Sequence, residues 1–244
     1  MKLRADVALV ERALAASRTQ AQALILAGRV FSGERRVEKA GELLADDAEL
    51  QVRGAPRFVS RGGDKLEGAL TELAVDVADQ VVLDIGASTG GFTDCVLQHG
   101  ASRVYAVDVG HGQLAQKLRA DPRVVVMERT NARHLSAASF PEPIGLVVVD
   151  ASFIGIEKLM PAISAILPRA GRLLALVKPQ FEAGRDAARR ARGVIRDPEV
   201  RSAAIAEARA AIEAAGFDVL SECDSRVAGP KGNVERFVLA TRLA

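Results

Sequence analysis

The segment VVLDIGASTGG at 81–91, followed by VYAVD ending at Asp108, is the feature that most restricts the possible folds. The apolar run at its start is typical of a buried strand, and Gly90-Gly91 are placed to open a helix. Glycine permits sharp turns and close approach of the backbone to a ligand, because it has no β-carbon. An acid ending the next strand, about twenty residues on, is the usual partner of a ribose diol. The pattern therefore predicts a strand–turn–helix–strand unit that binds an adenosine-containing ligand.

The residues of the turn discriminate between adenosine-containing cofactors. A dinucleotide motif would read G-x-G-x-x-G, but Ser88 stands two residues after Gly86, where that motif has glycine. Asp84, inside the turn, would repel a pyrophosphate but suits the cationic end of S-adenosylmethionine. The turn therefore favours S-adenosylmethionine over NAD, and a methyltransferase over a dehydrogenase. Glycine turns also occur for purely steric reasons, so the prediction depends on the whole strand–turn–helix–strand–acid order.

The composition is that of an ordinary globular protein. The chain has 244 residues, 49% of them hydrophobic, which allows one or two domains with well-filled cores. Its apolar runs are interrupted well short of the ~20 residues that a membrane span needs. Charges inside the first apolar stretch differ from the pattern of a signal peptide. We therefore expect a cytoplasmic protein without membrane association.

The cysteines and histidines do not suggest a metal site. Cys95 and Cys223 lie far apart and form no C-x-x-C motif, and the three histidines have no metal-ligand spacing with them. Buried free thiols are the simpler interpretation of the cysteines, and no metal ion is expected.

The small positive charge is concentrated near the N-terminus. Residues 1–60 contain ten Lys or Arg and eight Asp or Glu, whereas the remainder has 23 of each. A basic excess on a small unit is compatible with nucleic-acid binding, and also with an ordinary solvated surface.

Residues 1–55 are predicted to form a small α+β domain. Apolar spacing within 7–25 indicates two helices, with Ser17 as N-cap of the second and Gly28 at its end. Short apolar segments between 30 and 52 indicate a small sheet.

Residues 56–63 are predicted to be a linker, and 64–244 a second domain in which strands and helices alternate. Strands are predicted at 81–85, 103–108, 123–128, 145–150, 172–178, 217–223 and 234–241, and helices at 66–73, 91–99, 112–119, 157–167 and 198–215. Alternation of this kind is typical of an α/β fold with a mostly parallel sheet, here of seven strands, covered by helices on both faces. The prediction is a Rossmann-like methyltransferase fold, in which function gathers at the carboxyl ends of the strands.

Four polar residues are candidates for chemistry at that edge. Asp150 ends LVVVD, Lys178 ends LLALVK, Glu235 lies just inside the last strand, and Lys65 follows a glycine turn. A buried ammonium is costly without a partner, so a paired Lys–Asp–Lys–Glu cluster would explain a lysine at the end of so apolar a strand. Unrelated ion pairs at the rim are the alternative.

Transfer of a methyl group to a ribose hydroxyl would give this cluster a purpose. The hydroxyl must lie in line with the methyl group and lose its proton as attack proceeds. A lysine can accept that proton only when neutral, a form that a second ammonium and burial both favour. We therefore assign Lys178 as the base, Asp150 and Glu235 as the groups that position it, and Lys65 as the group that steers the hydroxyl.

The motifs SRGGDKL, LDIGASTGGFTDC, VYAVDVGHGQL, ERTNAR, VVVDASF, LVKPQFE and GNVERF occur in this order. In this combination the chain resembles the TlyA (haemolysin A) family of ribosomal RNA 2′-O-methyltransferases over essentially its whole length. That family belongs to the FtsJ-like methyltransferases, whose lysine–aspartate–lysine–glutamate tetrad matches Lys65, Asp150, Lys178 and Glu235.

The resemblance implies S-adenosylmethionine contacts at Asp84, Gly86, Ser88, Thr89, Gly90, Asp108 and Asn131. It also implies that a cytidine ribose of ribosomal RNA is the substrate. Shorter members act on large-subunit RNA, and this chain is similar to those.

The pattern D-x-x-L-V-x-x-x-L-A-x-S-R-x-x-A-x-x-L-I-x-x-G-x-V at 6–30 resembles the S4 RNA-binding domain. The resemblance implies RNA contacts, largely to phosphates, at Arg18, Gln22, Arg29, Arg35, Arg36 and Lys39. Ala13 stands where glycine is common in that family, and Ser32-Gly33 replaces Asn-Gly. Neither departure removes a basic residue.

Further RNA contacts are expected near the catalytic edge. Arg61 flanks the glycine turn, Phe153 lies beside Asp150, and Arg189 and Arg190 belong to a basic segment after the predicted base. A solvated loop is the alternative interpretation of that segment.

Two other functional classes remain open at this point. A non-catalytic RNA-binding or ribosome assembly factor would keep the fold only as a scaffold, and it need not bind S-adenosylmethionine. A membrane-active haemolysin, which the family name suggests, would cause leakage of lipid vesicles, although no apolar span or strongly basic amphipathic helix supports this reading.

Overall fold

A computed structural model describes residues 2–54, 57–183, 194–229 and 232–243. The chain divides into two compact units, an N-terminal unit of residues 1–57 and a large unit of residues 58–244. The predicted linker at 56–63 differs from this division. Phe58 is buried in the core of the large unit, and a helix begins at Arg61, so most of that segment belongs to the folded large unit.

The N-terminal unit combines two helices with two small antiparallel sheets. Its elements are β1 (Lys2–Arg4), α1 (Ala5–Glu11), α2 (Arg18–Leu26), β2 (Val30–Ser32), β3 (Arg35–Arg36), β4 (Leu43–Ala45) and β5 (Leu50–Val52). One sheet pairs β1 with β4, and the other has the order β3–β2–β5. Ser17 caps α2 by accepting a hydrogen bond from Gln20 N at 3.2 Å, and Gly28 follows the helix with φ +70°, so both predicted helix-end signals are confirmed.

A buried carboxylate organises the N-terminal unit. Asp6 is fully buried and accepts hydrogen bonds from Arg4 Nε at 3.0 Å, Arg18 Nη2 at 3.0 Å and Gln22 Nε2 at 2.9 Å. The hydrogen bond from Arg4 is the largest of the effects that hold the pKa of Asp6 well below its usual range. The contacts join the chain before α1 to the first turns of α2.

The large unit contains the rest of the elements. They are α3 (Arg61–Glu72), β6 (Val81–Ile85), α4 (Gly91–Gln98), β7 (Arg103–Val107), α5 (Gln116–Arg119), β8 (Val124–Met127), β9 (Leu146–Val149), α6 (Met160–Ile166), β10 (Arg172–Val177), α7 (Pro179–Glu182), α8 (Pro198–Ala214), β11 (Phe217–Asp224) and β12 (Arg236–Arg242). The helix expected at 112–119 begins only at Gln116, because Gly112 has φ +70° and donates its N–H to Glu128.

Seven strands form one sheet in the order β11–β12–β10–β9–β6–β7–β8. The five strands from β10 to β8 are parallel, and β12 and β11 continue the sheet with antiparallel pairings. The predicted mostly parallel seven-stranded sheet is confirmed. Apolar clusters cover both faces, as continuous apolar strands require. From β6 the chain continues through β7 and β8 to one edge of the sheet, and it then returns to β9, beside β6, and continues towards the other edge. This reversal opens a crevice at the carboxyl ends of β6 and β9.

A second buried carboxylate lies inside the large unit. Asp84, on β6, is fully buried, and its Oδ2 accepts a hydrogen bond from Thr93 Oγ1 at 2.6 Å. Its Oδ1 has no hydrogen-bond partner among the described residues. Burial is the main cause that raises the pKa of Asp84 to about 7. The carboxylate thus ties the central strand to α4 under the glycine turn.

Membrane spans and metal-binding groups are both absent from the described residues. No helix in the described parts of the chain is long and apolar enough to cross a membrane. Within residues 2–54, 57–183, 194–229 and 232–243, no three His, Cys, Asp or Glu side chains are grouped so that they could hold a metal ion.

Replacing Asp6 with alanine is expected to loosen the N-terminal unit, because Arg18 and Gln22 lose their common acceptor. Hydrogen exchange of the α1 and α2 amides should report a loss of about 1–3 kcal/mol in opening free energy. The exposed Asp47→Ala is the matched control. Since the pKa of Asp6 is lowered on folding, its stabilisation should be complete above the unfolded value and lost in strong acid. Equal exchange in the Asp6 and Asp47 variants would contradict this.

Replacing Asp84 with asparagine is expected to change how stability depends on pH. The pKa of Asp84 rises from 3.8 to about 7 on folding. The folded state therefore binds the proton more tightly, and stability falls as pH rises between those values. Asparagine can accept from Thr93 but cannot ionise, so thermal unfolding of the variant should lose this slope. A parallel pH dependence of melting temperature in both proteins would contradict the assignment.

Candidate active site

A close contact between two helices brings Lys65 to the edge of the sheet. Ser60 caps α3 by accepting from Gly62 N, and the starts of α3 and α4 touch. A β-carbon on Gly91 would lie 2.2 Å from Ser60 Oγ and 2.9 Å from Gly63 N, so only glycine allows this approach. Lys65 follows one turn after the start of α3 and therefore lies beside the glycine turn that ends β6.

The four predicted catalytic side chains form two ion pairs. Lys65 Nζ lies 2.5 Å from Glu235 Oε2, and Lys178 Nζ lies 2.6 Å from Asp150 Oδ1. The contact between Lys178 and the Asp150 carboxylate is an ion pair without hydrogen-bond geometry. Lys178 Nζ donates its hydrogen bonds to Ser152 Oγ at 3.0 Å and to the Asp150 main-chain oxygen at 3.3 Å. The lysines are 6% and 7% exposed and Glu235 is 1% exposed. Charges this well buried require such partners.

The pairing differs in one respect from the arrangement expected from the sequence. Glu235 was expected to position Lys178, but it contacts Lys65 instead. Glu235 immediately precedes β12, whose antiparallel direction brings its first residues to the edge where the parallel strands end. There the carboxylate meets the side chain from α3, and Asp150 is the carboxylate that contacts Lys178.

One cavity of about 710 Å³ brings all four side chains together. We call it the lysine cavity. Its wall includes Ser60, Arg61, Gly62, Lys65, Gly86, Ala87, Ser88, Thr89, Gly91, Phe92, Asp150, Ser152, Phe153, Lys178, Gln180, Phe181, Asn233 and Glu235. Two ammonium groups and two carboxylates thus face a space large enough for a nucleotide.

A second cavity, of about 480 Å³, adjoins the first at the ends of β6, β7 and β9. We call it the Asp108 cavity. Residues on its wall include Gly86, Ser88, Val107, Asp108, Val109, Gly110, Gln113, Asn131, Asp150, Ser152, Phe153 and Ile154. The two cavities share Gly86, Ser88, Asp150, Ser152 and Phe153. A ligand in one cavity would therefore meet a ligand in the other along this common wall.

The predicted cofactor residues do not all reach these cavities. Gly86, Ser88, Asp108 and Asn131 line the Asp108 cavity, and Thr89 lines the lysine cavity. By contrast, Asp84 and Gly90 line neither. Asp84 lies beneath the turn on Thr93, and Gly90, at φ +97°, packs against Leu114 and Leu118. These two residues support the turn from below.

The Asp108 cavity fits S-adenosylmethionine. Asp108 accepts hydrogen bonds from Ser88 N at 2.8 Å and Gly110 N at 2.6 Å, which fixes the carboxylate while lone pairs remain for ribose hydroxyls. A β-carbon on Gly86 would lie 2.9 Å from the Asp150 main-chain oxygen, so the turn there admits no side chain. The exposed Val109 adds an apolar surface suited to an adenine ring.

Two of the predicted RNA contacts on α2 have partners inside the N-terminal unit. Arg18 and Gln22 both bind Asp6, although the Arg18 side chain remains 59% exposed. Arg29 donates to the main-chain oxygen of Gly54. These residues therefore have a structural role, which the sequence pattern alone did not reveal.

The other predicted RNA contacts of this unit, Arg35, Arg36 and Lys39, are exposed. Arg35 pairs with Glu42, the Arg36 guanidinium packs over Gly28, and Lys39 extends into solvent. Their charges are accessible to an anionic partner.

At the lysine cavity, Arg61 and Phe153 line the wall, and Arg61 donates to the Ala228 main-chain oxygen. Phe153 is 90% exposed and has φ +67°, which is uncommon for a bulky residue. The predicted contacts Arg189 and Arg190 lie outside the described residues.

Sequence reasoning overlooked several residues beside the predicted ones. Ser152 contacts Lys178, and the Phe181 ring lies 5.2 Å from that of Phe153, measured between centroids. Ser152 precedes Phe153 in the motif VVVDASF, and Phe181 lies three residues after Lys178 in the motif LVKPQFE. Glu128 accepts from Gly112 N and so holds the loop of the Asp108 cavity. That hydrogen bond is the largest of the effects that leave the pKa of Glu128 at about 2.

Comparison with known proteins identifies the large unit. Residues 58–242 match the model of the FtsJ-like methyltransferase family. The chain is 47% identical over 236 residues to "Putative rRNA methyltransferase YqxC" of Bacillus subtilis, covering 96% of this chain and 84% of the relative. It is 42% identical over 239 residues to "16S/23S rRNA (cytidine-2'-O)-methyltransferase TlyA" of Mycobacterium tuberculosis, covering 97% and 89%.

The chain is also similar to a solved structure over nearly its whole length. "Putative hemolysin from Streptococcus thermophilus" superposes with a TM-score of 0.78 at 40% identity, covering 99% of this chain and 89% of that one. Two adjoining cavities, paired lysines and an Asp108 site fitted to S-adenosylmethionine agree with these matches. This chain belongs to the FtsJ-like methyltransferase family, and its cofactor is S-adenosylmethionine.

Proposed function

We propose that the protein methylates the 2′-hydroxyl of a cytidine in ribosomal RNA. The observation that carries this proposal is that Lys65, Asp150, Lys178 and Glu235 line a single cavity that shares a wall with the Asp108 cavity. A ribose in the lysine cavity would lie beside the cofactor. The printed name of the Mycobacterium tuberculosis relative supports cytidine and ribosomal RNA as the substrate.

Lys178 is the proposed base. Hydrogen bonds to Ser152 Oγ at 3.0 Å and to the Asp150 main-chain oxygen at 3.3 Å fix the direction of its Nζ, and the Asp150 carboxylate at 2.6 Å attracts the protonated form. A neutral amine has two N–H donors and one lone pair, so two acceptors can hold it while the lone pair faces the substrate hydroxyl. The proton leaving the 2′-hydroxyl passes to Lys178 Nζ.

Lys65 is the proposed steering group. Its Nζ is held by Glu235 at 2.5 Å and keeps further donors for the oxygen of the substrate hydroxyl. A hydrogen bond from Lys65 orients that oxygen towards the shared wall, and charge develops where an ammonium can stabilise it. Each lysine thus has its own carboxylate and its own task.

The Asp108 cavity is the proposed cofactor site. When bound, S-adenosylmethionine supplies an electrophilic methyl group attached to a sulfonium. Asp108 would accept from its ribose hydroxyls, Asn131 would lie beside its base, and Gly86, Ser88 and Thr89 would hold the end nearer the shared wall.

The N-terminal unit is proposed to be an S4-like domain that binds RNA. Its exposed Arg35, Arg36 and Lys39 suit phosphates, and the exposed part of Arg18 adds to this surface. Large-subunit RNA is the proposed substrate, because 23S rRNA stands in the printed names of both the Mycobacterium tuberculosis relative and a Campylobacter jejuni relative, whereas 16S rRNA stands only in the first. The location of ribosomal RNA makes the cytoplasm the proposed compartment. Mapping of 2′-O-methyl groups in both ribosomal RNAs, with and without the protein, tests the choice of subunit.

Replacing Lys178 with alanine is expected to lower kcat for methyl transfer by about 100-fold or more, because the base is lost. Affinity for S-adenosylmethionine, measured by calorimetry, should be unchanged. Lys158→Ala removes an exposed lysine outside both cavities and is the matched control. Near-normal turnover by the Lys178 variant would refute its role as base. A wild-type protein that binds RNA without transferring labelled methyl groups would instead be the non-catalytic assembly factor.

Replacing Phe153 with alanine is expected to weaken RNA binding by about 1–3 kcal/mol, because an exposed ring at the shared wall can stack on a nucleotide base. Leu220→Ala, which removes another exposed apolar side chain from strand β11, is the control. The measurement is KM for RNA at saturating cofactor. Identical KM values for the two variants would exclude the stacking role.

A further inference from the structure

Two chain segments carry the side chains around the proposed base, and they touch at three points. The β9 loop comprises residues 150–156, and the β10 segment comprises residues 178–182. At the first point Lys178 contacts Asp150 and Ser152. At the second point the Phe181 ring contacts the Phe153 ring. Both of these lie on the cavity wall.

The third contact lies behind the cavity and involves Glu182. Its carboxylate accepts the Ile156 N–H, with Oε1 at 3.0 Å and Oε2 at 3.2 Å. A β-carbon on Gly155 would lie 3.0 Å from Oε2, so the loop backbone lies directly against the carboxylate. Glu182 lines neither cavity.

Each end of this third contact belongs to a segment that carries residues of the proposed reaction. Glu182 and Phe181 both donate their N–H groups to the Lys178 main-chain oxygen, at 3.3 and 2.8 Å, so α7 transmits the position of Glu182 to Lys178. At the other end, Ile156 is buried and starts a short 3₁₀ helix that fixes the far end of the β9 loop.

We infer that Glu182 is a positioning residue, which sets the separation between the β9 loop and the β10 segment and thereby the geometry of Lys178, Ser152 and Phe153. The inference rests on the proposed function. The ion pair of Lys178 with Asp150 changes strength whenever the lysine gains or loses its proton. The Glu182 contact involves no group that takes part in the reaction, so it holds the spacing through both states.

The surroundings of Glu182 identify its conservative replacement. Burial is the main cause that raises the pKa of Glu182 to about 7, and the negative charges of Glu157 and Glu207 raise it further. A protonated carboxyl group retains an oxygen that can accept the Ile156 N–H. The contact therefore requires an acceptor of this length and does not require the charge, so glutamine should replace glutamate.

The test compares Glu182→Ala with Glu182→Gln, and Glu207→Gln is the control that removes a nearby charge without touching Ile156. Glu182→Ala should lower kcat about 10-fold, consistent with misplacement of reacting groups, and should speed hydrogen exchange at the Ile156 amide. Glu182→Gln should restore both to near the wild-type level, and Glu207→Gln should change neither. Wild-type kcat and slow exchange in the alanine variant would overturn the inference, as would failure of glutamine to rescue. Absence of methyl transfer by the wild-type protein would refute the proposed function instead, while the exchange data would still report the contact.

Discussion

Two ammonium groups lie at the edge of the sheet with less than a tenth of their surface exposed, and each is stable there because a carboxylate lies within 2.6 Å. The rest of the site follows from this constraint. Lys178 and Asp150 follow adjacent parallel strands, so their pairing comes from the sheet itself. Lys65 and Glu235 come from a helix before the sheet and from its antiparallel strand, and their pairing depends on the contact between glycines of α3 and α4. Paired charges at this edge form the polar wall of the lysine cavity.

Much of this architecture could be predicted from the sequence because it depends on local periodicity. The alternation of apolar runs and helical segments gave the seven-stranded sheet, and residues that end strands were correctly expected at one edge. Long-range packing was beyond such reasoning. Asp84 and Gly90 belong to the motif that predicts cofactor contacts, but both lie beneath the turn and line neither cavity. Thr93 donates a hydrogen bond to Asp84, and two leucines pack against Gly90. Side-chain partners distant in sequence, such as Ile156 for Glu182, leave no periodic signal.

The N-terminal unit also contains a side-chain partner that the sequence pattern did not reveal. A basic residue on an amphipathic helix suggests an anionic partner, but Asp6 already provides one for Arg18. Asp6 lies in the apolar helix before α2, and it could have indicated this pairing, because an unpaired carboxylate in an apolar core is unfavourable. More than half of the Arg18 side chain is still exposed, so its contact with Asp6 is compatible with the proposed RNA contact.

The direction of β12 has a consequence for how the protein acquires its site during synthesis. This strand lies between β10 and β11, and among the strands that the structure describes β11 pairs only with β12. Ribosomes make the chain from the N-terminus, so β11 must wait for β12 before it can join the sheet. Until then Lys65 lacks Glu235, its counter-ion. The five parallel strands are therefore synthesised before the residue that pairs with Lys65, and the lysine cavity can be complete only once the last strand lies against β10.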